Sequence, residues 1–324
     1  MKKIRIGIVG YGNVGKGVEK AVSSASDMEL CAVFTRRDPQ MLKLADSSVS
    51  IFATSDAERM TGEIDVMLLC GGSATDLAEQ GPHFASHFNI VDSYDNHSKI
   101  PEYLAEINAV ATSTTAVVAS GWDPGLFSMM RLLSEAILPD GKGYTFWGKG
   151  VSQGHSDAIR RIQGVKNAVQ YTVPIKSAIA AVRRGTMPKL DMRRKHLREC
   201  YVVAHPGANK SDIERKIKTM PNYFADYDTS VKFIENDELL SDHSKMPHGG
   251  VVMHSGRTGE NEHMIEYSLK LDSNPEFTGS IMVAYARAAF RMASEGIFGA
   301  KTVIDIPLAY LSEKDRLELI RELL

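Results

Sequence analysis

With 324 residues, 43% hydrophobic and 24% charged, the chain has the composition of a soluble globular protein, long enough for two domains and a sizeable core. A formal charge of −2 with the signs interspersed offers no basic surface to nucleic acid or to an anionic membrane. No apolar run approaches the ~20 residues that span a bilayer. The first residues enter a strand pattern with no signal-peptide features, and the three cysteines have no close partner. Reduced thiols and a cytoplasmic protein are therefore expected.

Ile4 to Val9 is an apolar run that reads as a buried parallel strand, broken at Gly10 and followed by a helical pattern through Val14, Val18 and Val22. The turn is Gly10-Tyr11-Gly12-Asn13-Val14-Gly15. Its glycines allow a tight turn, close approach of a pyrophosphate, and close packing of helix on strand, and the helix N-terminus offers its N–H groups to phosphate oxygens. The glycine spacing alone is weak, but strand, glycines and helix in this order indicate a dinucleotide site rather than a structural turn. The second strand, Met28 to Phe34, ends in Thr35-Arg36-Arg37, where an NAD site would carry an acidic residue. Two guanidinium groups and a hydroxyl suit a 2′-phosphate, so the expected cofactor is NADP(H).

Further on, Ile51 to Thr54 is a short strand and Ile64 to Cys70 a buried one, ending in the small residues Gly71-Gly72-Ser73-Ala74-Thr75. A helix from Thr75 to His87 carries His83 and His87 at i, i+4 spacing. No glutamate completes a His-Glu-x-x-His pattern, so no metal is expected. Asn89 to Asp92 is a strand leading into Ser93-Tyr94-Asp95-Asn96-His97, Pro101 opens a helix, and Ala116 to Ser120 is another strand. This alternation predicts a doubly wound parallel α/β sheet of Rossmann type. Gly121-Trp122-Asp123-Pro124-Gly125 then opens a helix to about Leu138.

From there longer, mostly alternating strands follow: Tyr144 to Lys149, Ala168 to Thr172, His196 to Ala204, Thr229 to Ile234, Gly250 to His254 and Glu262 to Leu271. They predict one largely antiparallel sheet with helices on one side, a second α+β domain. Arg183 to Lys195 and Asn236 to Lys245 read as polar connections, and Glu276 to Ser294 as a long helix of that domain. Thr302 to Ile306 and a helix from Ser312, with Ser312 and Asp315 in a capping arrangement, return to the first domain. The expected division is 1–120 for the dinucleotide domain, 121–299 for the second, and 300–324 returning to the first.

Asp92 and Asp123 fall at strand carboxyl ends, where ligands of open α/β sheets lie. Two carboxylates there suit an ammonium group, although loop capping is the ordinary alternative. Arg198 within a strand could pair with a substrate carboxylate or form a structural ion pair. Residue pattern stops at an NADP-dependent oxidoreductase with a polar substrate.

The segments at 10–15, 35–37, 92–97 and 121–125, with Thr145-Phe146-Trp147-Gly148, Ser152-Gln153-Gly154-His155-Ser156-Asp157, Met220-Pro221-Asn222-Tyr223-Phe224 and Met246-Pro247-His248-Gly249-Gly250, resemble the meso-diaminopimelate dehydrogenase family nearly end to end. The resemblance implies reversible NADP-dependent oxidative deamination of the D-centre of meso-2,6-diaminopimelate to L-2-amino-6-oxopimelate, which cyclises to tetrahydrodipicolinate, with ammonia and NADPH. It implies a Rossmann domain with an α+β substrate and dimerisation domain, and a homodimer in lysine biosynthesis. Substrate contacts would be Asp92, Asp123, Trp147, Gln153, Gly154, Thr172, Arg198, His248 and Asn274. Thr172, Arg198 and His248 would face the distal L-carboxylate, with the reacting centre nearer Asp92, Asp123 and Trp147. Cofactor contacts would be Gly10, Tyr11, Gly12, Asn13, Val14, Thr35, Arg36, Arg37, Cys70, Gly71, Gly72, Ser73, Ser93, Tyr94, Trp122, Pro124 and Gly125. Asp92 and Asp123 would serve the chemistry, and Asp123 and His155 are both candidates for the general base. The rivals are a reductase of the same two-domain build, such as dihydrodipicolinate reductase, and a silent NADPH-sensing or scaffold protein.

Overall fold

The computed structural model describes residues 3–324, which fall into two compact units: the chain up to 129 together with 275–324, and residues 130–274. In the first unit the strands are β1 (Ile4–Val9), β2 (Met28–Thr35), β3 (Ser50–Ala53), β4 (Val66–Leu69), β5 (Asn89–Asp92), β6 (Thr115–Val117) and, from the far end of the chain, β14 (Gly299–Lys301). All pair in parallel in the order β14-β6-β5-β4-β1-β2-β3. The order reverses between β1 and β4, which is where such sheets bind their ligand.

Both faces of this sheet are covered. Val18 and Val22 of the helix Asn13–Ser24 and Met282, Val283 and Ala286 of the helix Asn274–Ser294 pack with Ile6, Ile8 and Val33. Leu77 and Phe84 of the helix Leu77–Ala85 and Tyr103 and Ile107 of the helix Ile100–Val110 pack with Val9, Phe34 and Leu69. The first two helices touch through glycines: a Cβ on Gly17 would lie 2.6 Å from the Pro275 carbonyl oxygen. The long helix therefore belongs to the first unit, not the second as its position in the sequence suggested. Its apolar stripe is evident from sequence, but a stripe does not say which sheet it covers.

The carboxyl-terminal return uses different residues from those expected. The strand is β14, and residues 303–305 form a 3₁₀ turn capped reciprocally by Thr302 and Asp305. Asp315, not Ser312, caps the last helix, Arg316–Leu323, by accepting the Glu318 N–H; Ser312 Oγ accepts the Lys314 N–H instead.

The second unit holds β7 (Lys142–Trp147), β8 (Gly150–Val151), β9 (Val165–Pro174), β10 (His196–Ala204), β11 (Asp228–Phe233), β12 (His248–Thr258) and β13 (Asn261–Leu271). They form two sheets, β11-β10-β9-β8 and β13-β12-β7, rather than one, and β10 and β11 run parallel. Alternation reports one buried face; it is blind to partner and direction. Ile159, Ile213 and Ile217 of the helices Gln153–Arg160 and Lys210–Lys218 cover one face of the four-stranded sheet. Ala178 and Val182 of the helix Lys176–Arg183 pack with Phe146, Val251 and Met253 of the three-stranded one. The two expected polar connections carry short helices, Met192–Lys195 and Asn236–Asp242; the second buries Leu239.

Candidate active site

The glycine loop leaves β1 through Gly10, whose φ of +88° is left-handed and whose N–H donates to the Phe34 carbonyl at 2.9 Å. A Cβ on Gly15 would fall 2.3 Å from the Gly10 carbonyl oxygen, so the third glycine is fixed by helix–strand packing. At Gly12 a Cβ would meet nothing within 4 Å. The packing of the protein itself therefore does not require glycine there. Gly12 is also the N-cap of the helix and supplies no side chain to its first N–H groups. An open second glycine over an uncapped helix start fits a pyrophosphate.

At the end of β2, the Thr35 hydroxyl accepts the Arg37 N–H at 3.0 Å and the Arg37 guanidinium donates to the Tyr11 carbonyl at 2.7 Å. Arg36 is exposed and pairs with Asp76 at 2.6 Å. No acidic side chain of the 35–37 segment stands where a ribose 2′-hydroxyl would be bound, so the residues present fit a 2′-phosphate. After β4, Gly72 N–H donates to Asp76 Oδ2 at 3.0 Å, and Ser73 Oγ accepts the Asp95 N–H at 3.0 Å, tying the small-residue turn to the segment after β5.

Asp92, at the end of β5, is fully buried. Its Oδ1 accepts the N–H groups of Tyr94 and Ala119, each at 3.0 Å, and its Oδ2 accepts the Tyr103 hydroxyl at 2.7 Å. Burial pushes this carboxyl up against those three hydrogen bonds. Ala119 has φ 54°, a left-handed position that alanine disfavours by roughly 1–2 kcal/mol, and Asp92 holds it. Tyr103 stacks on Tyr94 at 4.1 Å and reaches Asp92 past Gly81, where a Cβ would lie 2.1 Å from the Tyr103 hydroxyl oxygen. The expectation of a substrate-facing carboxylate at 92 therefore meets a group already shared among three donors. Asp123 is half-buried in the turn 121–125, where Gly125 (φ +128°) lets the chain fold back on the Gly121 carbonyl, and Trp122 packs edge-on to Phe127.

In the second unit, Thr172 on β9 and Arg198 on β10 are directly paired, and both are buried. The Arg198 guanidinium donates to the Thr172 hydroxyl and lies 4.0 Å from the centre of the Tyr227 ring. No carboxylate among the described residues pairs with it, its Nε has no partner, and burial lowers its pKa. Gly150 of β8 pairs with Thr172, and the His248 ring packs on Gly150 so closely that a Cβ there would lie 2.3 Å from its Cγ. The Gly249 N–H donates to His248 Nδ1 at 2.8 Å. Gln153 Nε2 contacts Met246 Sδ at 3.2 Å, and the Asn274 N–H donates to the Met246 carbonyl at 2.9 Å. Thr172, Arg198 and His248 are thus one cluster, with Gln153 and Asn274 gathered on the segment that carries His248. At Gly154 a Cβ would meet nothing within 4 Å.

Trp147 ends β7 and is held by a residue that pattern reasoning passed over. His196 Nε2 accepts the Trp147 N–H at 2.8 Å, and the two rings stack at 5.2 Å. That bond places the imidazole proton on Nδ1, and burial first, then Lys195 and Arg198, pushes its pKa down to about 3. Its only sequence signal is the two-residue step to Arg198 on the same strand face. His155 is likewise held neutral, at about 4, chiefly by burial and then by Arg198; its Nδ1 lies 2.8 Å from Ser152 Oγ. His83 and His87 both face Glu58, at 3.4 and 3.7 Å; among the described residues no group of three such side chains is arranged to hold a metal. Among the described residues, no helix is long and apolar enough to cross a membrane.

A doubly wound sheet with an open pyrophosphate turn and arginines at the end of β2, joined to a unit that buries an uncompensated guanidinium, defines an NADP-dependent oxidoreductase for an anionic substrate. The Diaminopimelic acid dehydrogenase C-terminal domain family matches residues 121–273. The meso-diaminopimelate D-dehydrogenase of Acetivibrio thermocellus is 59% identical over 100% of this chain and 98% of its own length. A six-fold substituted meso-dapdh from Clostridium tetani E88, solved with DAP, is 52% identical with a TM-score of 0.94, covering 99% of this chain and 100% of its own. An engineered D-amino acid dehydrogenase bound to NADP+ is 42% identical with a TM-score of 0.89, covering both chains fully. The chain belongs to the meso-diaminopimelate D-dehydrogenase family.

Proposed function

We propose that this chain carries out the reversible, NADP-dependent oxidative deamination of the D-centre of meso-2,6-diaminopimelate, giving L-2-amino-6-oxopimelate, ammonia and NADPH. The observation that carries this reading is Arg198: a buried guanidinium without a carboxylate is costly unless a ligand supplies one. Arg198, the Thr172 hydroxyl and His248 would bind the distal L-carboxylate, with Gln153, Gly154 and Asn274 completing the contacts. The substituted Clostridium tetani protein was altered at a Gln, a Thr, an Arg, a Pro, a His and an Asn. Gln153, Thr172, Arg198, Pro247, His248 and Asn274 are the same types in the same order, which supports the assignment of Gln153, Thr172, Arg198, His248 and Asn274 as substrate contacts.

At the reacting end, NADP+ when bound supplies the hydride acceptor. The family set at the amine end is Asp92, Asp123 and Trp147. Asp123 would hold the substrate ammonium and present its α-hydrogen. Asp92 would act through Tyr94 and the Ala119–Ser120 turn, as a positioning residue. Trp147, fixed by His196, would wall the reacting centre. Loss of the α-hydrogen as hydride and of one ammonium proton would leave an iminium. Water would add to its carbon, giving up a proton to Asp123 or to His155, whose neutral ring can accept one. The carbinolamine would then expel ammonia to leave the carbonyl. Cofactor contacts are proposed at the glycine loop, Thr35, Arg36, Arg37, Cys70–Ser73, Ser93, Tyr94, Trp122, Pro124 and Gly125.

A homodimer and a cytoplasmic setting complete the reading; Leu132, Leu133 and Ile137 expose an apolar stripe that a partner copy would cover. The test is ammonia dependence of NADPH oxidation with tetrahydrodipicolinate. Oxidation that requires ammonia supports the reading, and oxidation of equal rate without it would replace the function by ring reduction.

A further inference from the structure

Glu19 is a buried carboxylate that pairs with no cation among the described residues. It lies on the first helix, two turns past the glycine loop. One of its oxygens accepts the Tyr11 hydroxyl, and the other accepts the N–H groups of Ala45 and Asp46, at 2.9 and 3.2 Å. Tyr11 is the variable residue between the first two glycines, and its carbonyl accepts the Arg37 guanidinium at 2.7 Å. The contacts therefore close a ring: Arg37 to the Tyr11 carbonyl, Tyr11 hydroxyl to Glu19, and Glu19 to the backbone at 45–46, at the far end of the segment that Arg36 and Arg37 begin. Leu42 and Leu44 of that segment pack against the core cluster that includes Tyr11 and Val18.

An apolar residue could fill this space without the desolvation that a carboxylate suffers, so stability alone does not account for a glutamate here. Burial and the Glu19 bond both push the Tyr11 hydroxyl pKa up, so it stays a donor across the working range. We infer that Glu19 is a positioning residue for cofactor choice: it clamps the 36–46 segment onto the glycine loop so that Arg37 stands ready for the 2′-phosphate. The inference rests on the assignment of Arg36 and Arg37 to that phosphate. It extends that assignment to a side chain that itself touches no cofactor.

Glu19→Gln keeps the volume but turns one acceptor into a donor facing N–H or O–H groups. The test measures KM and kcat with NADP+, and the dissociation constants of adenosine 2′,5′-bisphosphate and 5′-AMP, for the parent, Glu19→Gln, Tyr11→Phe, and the Arg36→Ala/Arg37→Ala pair with and without Glu19→Gln. Glu19→Gln is expected to raise the NADP+ KM about tenfold with kcat nearly unchanged, and to weaken the bisphosphate but not 5′-AMP. Tyr11→Phe should act in the same direction by about threefold, which keeps the test informative if Glu19→Gln folds poorly. In the double-arginine background Glu19→Gln should add nothing, as coupled residues do. Equal weakening of both nucleotides by Glu19→Gln and Tyr11→Phe would overturn the inference while leaving the arginine assignment standing. Equal weakening of both by the arginine pair alone would instead overturn that assignment, and the inference with it.

Discussion

Arg198 and Thr172 face each other across the β9–β10 ladder, and the guanidinium of one donates to the hydroxyl of the other, with no carboxylate among the described residues paired to it. Replacing a buried, uncompensated cation by an apolar side chain of similar length relieves desolvation. Arg198→Met should therefore leave the melting temperature equal or higher while raising KM for diaminopimelate at least about a hundredfold, the scale of a lost charge-assisted pair. D-Alanine, which has no distal carboxylate, should lose little. Thermal unfolding and kinetics on both substrates check this; a lowered melting temperature with unchanged KM would make Arg198 structural.

Asp92 offers a sharper distinction. Asparagine can keep its oxygen on the Tyr94 and Ala119 N–H groups and donate its amide to the Tyr103 oxygen, since a phenol can reverse its role. Asp92→Asn should then unfold within about 1 kcal/mol of the parent, whereas Asp92→Ala, which orphans three donors, should lose about 2–4 kcal/mol. If Asp92 acts by positioning, the asparagine variant keeps kcat within about tenfold. A loss beyond a hundredfold in a well-folded Asp92→Asn protein would put the charge itself on the substrate.

Gly81 bears on the same network. Alanine is the better helix former by about 1 kcal/mol, yet its Cβ would sit 2.1 Å from the Tyr103 oxygen. Gly81→Ala should destabilise by about 1–3 kcal/mol, measured by urea unfolding, because Tyr103 must withdraw from Asp92. A stabilised variant would show that the approach is not needed.

His155 and His196 set an acid limit. Both are neutral when folded, with pKa pushed down to about 4 and about 3, and both take a proton near 6.5 when unfolded. The unfolded chain thus binds more protons below that value. Their contribution is complete above pH 6.5 and declines as pH falls, by up to about 1.4 kcal/mol per pH unit for each ring until its folded pKa is reached. Urea unfolding between pH 7 and 4.5 should show this slope, and His155→Asn should reduce it by about one proton. A slope unaltered by that change would mean the ring is already charged when folded.

The first unit was largely legible because its signals are local. The strand into Gly10, the glycine spacing and Thr35-Arg36-Arg37 each sit within a few residues of what they build. What escaped was pairing at long range. Nothing near Glu19 in sequence announces Ala45, nothing near Tyr103 announces Asp92, and the stripe on the helix Asn274–Ser294 does not name the sheet it covers. In the second unit, alternation located most strands but not their division into two sheets, and His196 read as one more strand residue. Arg198 was visible as an arginine in a strand; that it is buried, with no carboxylate among the described residues paired to it, appears only in the structure.

If the enzyme works as proposed, only the D-centre of a two-ended diacid reacts, while the distal L-end is held by Arg198 and its neighbours. Initial rates of NADP+ reduction with meso-, L,L- and D,D-diaminopimelate test it directly. The meso isomer should turn over, with the L,L isomer at less than about a hundredth of its kcat/KM, a difference of roughly 2.7 kcal/mol in transition-state binding. Equal rates with the meso and L,L isomers, or none with the meso isomer, would contradict it.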